Sequence, residues 1–168
     1  VINAVYSIEE LYRTYEKRIF QYFYGLTTNY HSAEELTQET FFQVVRTIPF
    51  FREDARVTTW LYKVARNVFS MWKRKKDNYT ISLDHENTEL PDQWEPSFIV
   101  EQKEKLTLLL RTLRQLPENY REVLWLREWQ ELSYEEIAVI TSHSVAWVKV
   151  TLHRARINYR QLYREMED

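Results

Sequence analysis

Leu116-Pro-Glu-Asn-Tyr-Arg-Glu-Val-Leu-Trp-Leu-Arg127, then Leu132-Ser-Tyr-Glu-Glu-Ile-Ala138, then Val148-Lys-Val-Thr-Leu-His-Arg-Ala-Arg156, is where this chain is most explicit about its architecture. Pro117 suits the first turn of a helix that continues through Arg127. Ser133 and Glu136 have capping-box spacing and open a short helix through Ile140. Thr141-Ser142-His143 forms the turn, and Ser144 caps the next helix. On that last helix Val148, Leu152, Ala155, Tyr159 and Leu162 recur at steps of three and four, a buried stripe. Lys149, Val150, His153, Arg154 and Ile157 fall on the opposite side. The pattern is a helix-turn-helix, whose second helix fits the major groove of DNA, or a plain two-helix hairpin of the same periodicity. In the first reading, side chains near the start of the second helix reach base edges while neighbouring arginines take phosphates.

The rest of the chain extends the helical reading. Among 168 residues there is one glycine, Gly25, with four prolines, too little turn material for hairpins or glycine-rich phosphate loops. Apolar residues at 44% and aromatics at 15% are enough for packed cores. The absence of cysteine fits a reducing cytoplasm. No apolar run approaches the roughly 20 residues that span a bilayer, and the first residues carry no signal-peptide pattern. The expected location is therefore the cytoplasm.

A net charge of −2 would ordinarily argue against nucleic acid, but the distribution of charge argues for it. From Leu61 to Lys76 the bases Lys63, Arg66, Lys73, Arg74, Lys75 and Lys76 occur without one acid. From Val145 to Arg164 the same holds for Lys149, Arg154, Arg156, Arg160 and Arg164. From Asp77 to Val100, by contrast, stand Asp84, Glu86, Glu89, Asp92 and Glu95, with no Lys or Arg. This acidic stretch also holds Pro91 and Pro96 and has no sustained period, so it reads as a flexible linker of about 20 residues. The expected fold is all-α: two small helical domains, 1–76 and 99–168, joined by the linker 77–98, with the helix-turn-helix in the second.

In the first domain Ser7–Tyr24 reads as a helix with an aromatic face of Tyr12, Tyr15, Phe20, Tyr22 and Phe23. Ser32-Ala-Glu-Glu35 fits a capping box starting a second helix that Pro49 stops. On that helix Ala33, Phe41, Val44 and Ile48 lie on one side; Glu35, Gln38, Glu39, Phe42 and Arg46 lie on the other. Phe42, an aromatic on a polar face, either packs locally against the first helix or docks a protein partner. A third helix, from about Thr58 to Lys75, has a core stripe of Leu61, Val64, Ala65, Val68 and Trp72. Its opposite face gathers Lys63, Arg66, Asn67, Ser70, Lys73 and Arg74. An ordinary surface helix mixes signs to gain pair energies of about 0.2–0.5 kcal/mol; this one does not. Phe50 and Phe51 in the preceding loop suit stacking on unpaired bases, or plugging the core.

Nothing points to chemistry. His31, His85, His143 and His153 lack metal-ligand spacing with carboxylates, and no nucleophile motif is present. The acid pairs Glu34-Glu35 and Glu135-Glu136 are accounted for by capping and solvation. No catalytic residue, metal, cofactor or small-molecule substrate is expected.

Across nearly its full length the chain resembles the extracytoplasmic-function sigma factors of bacterial RNA polymerase. Ala33-Glu-Glu-Leu-Thr-Gln-Glu-Thr-Phe41 is similar to the family's core-binding helix. Phe51-Arg-Glu-Asp-Ala55 with Thr59-Trp-Leu-Tyr-Lys-Val-Ala-Arg-Asn67 is similar to its −10 segment, and the helix-turn-helix to its −35 domain. The resemblance implies a sigma-two domain in 1–76 and a sigma-four domain in 99–168. It implies that Glu35, Gln38, Glu39 and Phe42 dock on the clamp helices of core polymerase, whose flap is a further contact. It implies that the loop with Phe51, closed by Asn67, captures a flipped base of the −10 element, that Lys63, Arg66, Lys73 and Arg74 hold the strand backbone, and that Arg52 and Trp60 are further −10 contacts. Trp147, Lys149, Val150, His153, Arg154 and Arg156 then meet the −35 duplex. The implied partners are core polymerase, promoter DNA and an anti-sigma factor, which would hold the chain at the membrane where it is itself anchored there. Where the family's turn often reads Leu-Gly-Ile, this chain has Thr141-Ser142-His143, so a positive φ there would be strained. The rival reading is a stand-alone helix-turn-helix regulator, which leaves the basic face of the first domain and Phe51 without a role. A helical adaptor would explain Phe42 but neither acid-free face.

Overall fold

The computed structural model describes residues 7–51, 56–78 and 103–167, and among these every regular element is helical. The first half holds α1 (Ile8–Thr27), α2 (Tyr30–Thr47) running into a 3-10 turn (Ile48–Phe50), and α3 (Val57–Asn78). The second holds α4 (Lys103–Gln115), α5 (Glu118–Glu128), α6 (Tyr134–Thr141) and α7 (Val145–Glu167). The linker expected over 77–98 lies outside the described residues, except that α3 runs through Asp77 and Asn78.

Local capping explains the helix starts. The Ser7 hydroxyl accepts from the Glu10 amide and the Glu10 carboxylate accepts from the Ser7 amide, both at 3.1 Å. Ser133 and Glu136 do the same for α6, at 3.1 and 2.8 Å. The Ser144 hydroxyl accepts from the Trp147 amide, capping α7. The capping box expected at Ser32 does not form. Asn29 is the cap instead, its side-chain oxygen accepting from the Ser32 amide at 2.9 Å, so α2 begins earlier. The reason lies one residue before. Thr28 adopts a left-handed conformation (φ 51°) that ends α1 and reverses the chain at once, bringing Asn29 into capping position. Pro117 likewise lies just outside α5 rather than inside it.

In the first half α1 packs on α2 and α3, and α2 on α3; in the second, α4, α5 and α6 surround α7. Val148, Leu152 and Ala155 are buried as the periodicity requires, with Tyr159 and Leu162 partly so. Burying a side chain such as Val148 or Leu152 contributes about 1.5–3 kcal/mol. The halves are not separate bodies. α5 packs on α1, α6 on α3, and the buried residues of both halves form one continuous apolar cluster. Tyr22, from the aromatic face of α1, and Tyr62 of α3 are fully buried at this junction.

Candidate nucleic-acid interface

The helix-turn-helix presents its basic face as expected. Lys149, Val150, His153 and Arg154 are exposed on one side of α7. Tyr134, at the start of α6, is flanked by two cations: the Arg127 guanidinium 4.6 Å and the Lys149 ammonium 5.6 Å from its ring centroid. Arg156 is engaged by Glu128 of α5, so its guanidinium is partly neutralised. The glycine-free turn does require the left-handed conformation, with Ser142 at φ 58° and its amide bonded back into α6. Trp147 is half-buried, and the His143 ring stacks on it at 3.6 Å between centroids while His143 Nδ1 lies 2.8 Å from the Thr141 carbonyl. The turn is thus braced by aromatic packing where a glycine is absent.

On α2, Glu35, Gln38, Glu39 and Phe42 are exposed along one face. Phe42 is 58% exposed, with Arg46 over its ring at 5.9 Å. Its neighbour Phe41 makes the contact to α1, edge-on against Tyr12 at 4.9 Å, so local packing on the first helix does not account for Phe42. Val45 and Phe50 add further exposed apolar surface beyond it; Phe50, which lies outside the residues expected to dock, is 82% exposed. Phe42 and Val45 stand at i, i+3 on α2, and Phe50 follows in the 3-10 turn beyond its end.

The α3 face divides. Lys63, Asn67 and Arg74 are exposed. Phe51 is half-buried against Trp60, ring centroids 5.0 Å apart; Arg52 lies outside the described residues. Arg66 and Lys73, expected beside them as free cations, are taken up by the second half. Arg66 Nε donates to the Glu122 carboxylate at 2.9 Å, and Lys73 pairs with Glu118. Glu122 is only 6% exposed and also accepts from the Tyr22 hydroxyl at 2.8 Å. Burial first, and the Glu122 charge after it, hold the Tyr22 hydroxyl well above its ordinary pKa, so it remains a donor. Burial pulls Arg66 down, but the adjacent Glu122 outweighs it and the guanidinium titrates above its ordinary value.

Around this centre the halves are joined by further polar contacts. The Tyr62 hydroxyl donates to the Gln130 side chain, and Arg18 to the Gln130 carbonyl. Arg121 covers the Leu26 carbonyl at 2.7 Å, and the Trp125 indole N–H donates to the Gln21 carbonyl at 3.0 Å. Trp125 lies flat on α1 at Gly25, where any Cβ would overlap its ring. The lone glycine of the chain is the one sequence signal of this close approach.

Among the described residues no group of His, Cys, Asp and Glu could hold a metal, and no helix is long and apolar enough to cross a membrane. The family model Sigma-70 region 2 matches residues 11–79, and Sigma-70, region 4 matches residues 106–158. The chain is 36% identical to RNA polymerase sigma factor YlaC of Bacillus subtilis (strain 168), covering 92% of this chain and 91% of that protein. It is also 36% identical to ECF RNA polymerase sigma factor SigM of the same organism, covering 94% and 95%. Among solved structures it superposes on the sigma factor RpoE of Bartonella quintana, in complex with the anti-sigma factor NepR, with TM-score 0.77, 21% identity, and 93% and 96% coverage of the two chains. CnrH, in complex with the cytosolic domain of CnrY, gives TM-score 0.70 at 19% identity, covering 92% and 86%. These two likenesses establish the shared fold.

Proposed function

The chain belongs to the extracytoplasmic-function group of the sigma-70 family, and from that premise we propose that it directs core RNA polymerase to promoters by gripping DNA at two points. The observation that carries this reading is the pair of basic helix faces, one on α3 and one on α7, each free of acids along its own helix from Leu61 to Lys76 and from Val145 to Arg164. The second domain, 99–168, reads the −35 element as duplex. Lys149, Val150, His153 and Arg154 reach base edges, while Trp147 and Arg156 lie toward the sugar-phosphate. The first, 1–76, holds the −10 strand after melting. Phe51, Arg52, Trp60 and Asn67 receive a flipped base, while Lys63, Arg66, Lys73 and Arg74 hold the backbone. Flipping costs a few kcal/mol, offset by stacking worth about 1–3 kcal/mol per base.

Core polymerase docks through Glu35, Gln38, Glu39 and Phe42 on its clamp helices, with the second domain toward the flap. The function is binding without chemistry, and its place is the cytoplasm. An anti-sigma factor is the expected antagonist, as the similar structure of RpoE of Bartonella quintana is described in complex with one. The stand-alone regulator is the weaker reading because it leaves the α2 face without a partner.

Run-off transcription from a genomic promoter library, with core polymerase alone and with this chain added, tests the proposal. Promoter-specific transcripts are expected only with the chain. Their absence on every template defeats the reading.

A further inference from the structure

The last turns of α7 carry charge that duplex reading does not use. Arg160 and Arg164 stand on the same side of the helix as Lys149 and His153, but Arg160 is already three turns, roughly 16 Å, beyond Lys149. A helix whose first turns enter a groove about 8.5 Å deep carries these residues clear of the bases. They stand one turn apart, so their like charges repel along the helix. Arg156, a turn earlier, is answered by Glu128. Among the described residues the side chains of Arg160, Arg164 and Lys105 make no ion pair or hydrogen bond.

Those three cations line one open cleft of about 440 Å³ between α4 and α7, a volume within the range of small-ligand sites. Tyr159 and Tyr163 line it as well, both half-buried, with ring centroids 5.9 Å apart and planes tilted by 31°. Burial first, and Tyr163 after it, push the Tyr159 hydroxyl up to about 12, so it remains a neutral donor. Glu167 is the one acid among the lining residues. Each part selects a chemistry. Three unanswered cations favour an anion of high charge, and a guanidinium matches phosphate oxygens two at a time. Tyrosine rings stack on a flat heterocycle. A carboxylate among the cations repels an acidic peptide, but it accepts hydrogen bonds from sugar hydroxyls, the use that acidic residues have at a ribose.

We propose that the cleft between α4 and α7 is a binding site for a ribonucleoside triphosphate. Arg160, Arg164 and Lys105 hold the phosphates, Tyr163 with Tyr159 stacks on the base, and Glu167 takes the ribose hydroxyls. Because the site draws on two helices of the second half, bound nucleotide stabilises that half by mass action. The inference stands on the cleft and does not require the promoter reading.

The test is isothermal titration calorimetry on the full chain, without added magnesium, using ATP, GTP, CTP and UTP in turn. At least one should bind saturably, one per chain, with a Kd below about 1 mM. Inorganic triphosphate and the matching free nucleoside should each bind at least about tenfold more weakly, since each keeps only part of the contacts. Arg160→Gln with Arg164→Gln should weaken binding by about tenfold or more. Both positions are exposed and glutamine is a comparable helix former, so the fold should hold. Lys105→Gln, on the other helix, should weaken binding by about threefold or more, and it serves even if the paired variant does not fold. Lys149→Gln with Arg154→Gln removes the same charge from the same helix and should change nucleotide affinity by less than about twofold. No saturation by any of the four nucleotides below about 5 mM overturns the proposal. So does equal loss from the two paired variants, or inorganic triphosphate binding as tightly as the nucleotide. If these shifts occur but run-off transcription never does, the nucleotide site stands and the promoter reading fails. The reverse result sinks only the nucleotide site.

Discussion

Gly25→Ala should loosen the junction between the halves, although alanine is the better helix former. Gly25 lies inside α1, where the substitution alone favours the helix by about 1 kcal/mol. Against this stands the Trp125 indole, whose ring atoms occupy the space a Cβ would need. The ring cannot simply swing away. It stacks on Trp129 at 4.8 Å with planes 6° apart, and its N–H is tied to the Gln21 carbonyl. Moving it out to ordinary contact costs that hydrogen bond, about 1 kcal/mol, and misplaces a side chain that is now 3% exposed. Overpacking of this kind costs about 1–3 kcal/mol. Setting the helix gain against both losses leaves the packed state destabilised by about 1–3 kcal/mol. Small-angle scattering should show an expanded chain, and urea unfolding an earlier loss of the junction. A Gly25→Ala protein as compact as wild type, and more stable by the helix gain, would refute the close approach of Trp125 to α1.

Other outcomes follow from the same packing. Burial pushes Tyr62 up to about 12 and holds Tyr22 well above its ordinary value, so the folded state holds these protons more tightly than the unfolded one. Stability from both is complete below about pH 10 and falls as pH rises toward 12; phenolate absorbance should rise together with unfolding, and a freely titrating Tyr62 in a folded chain would contradict its burial. Ser142→Gly relieves a left-handed residue at an exposed turn and should stabilise by up to about 1 kcal/mol, read as a higher urea midpoint. Phe42→Ala should leave stability within about 0.5 kcal/mol because the ring is exposed, while weakening core-polymerase binding by more than about 1 kcal/mol in a fluorescence titration.

Periodicity and caps are local, and they are legible in the sequence. The Ser133–Glu136 box and the Val148, Leu152, Ala155 stripe depend on residues within two turns of each other, so residue spacing suffices to place them. The start of α2 escapes such reading for a related reason. Two capping candidates, Asn29 and Ser32, stand three residues apart, and the choice rests on the backbone of Thr28, whose left-handed turn no propensity announces. Exposed Phe42 can be suspected from its face, but only the packing of Phe41 against Tyr12 separates the two aromatics.

The charge pattern marks the boundary most clearly. That two helical halves carry acid-free basic faces, and that the second is a helix-turn-helix, is determined by the sequence itself, because amphipathic period and like-charge runs are properties of neighbours along the chain. That Arg66 and Lys73 meet Glu122 and Glu118 is not, since the partners are 56 and 45 residues away. A stretch free of acids in sequence is not thereby free of acids in space. Only the tertiary structure decides which charges are desolvated together, because that depends on which helix faces bury each other. Here Gly25 admitted Trp125, α5 settled on α1, and two carboxylates came to rest on cations that the linear pattern had left open.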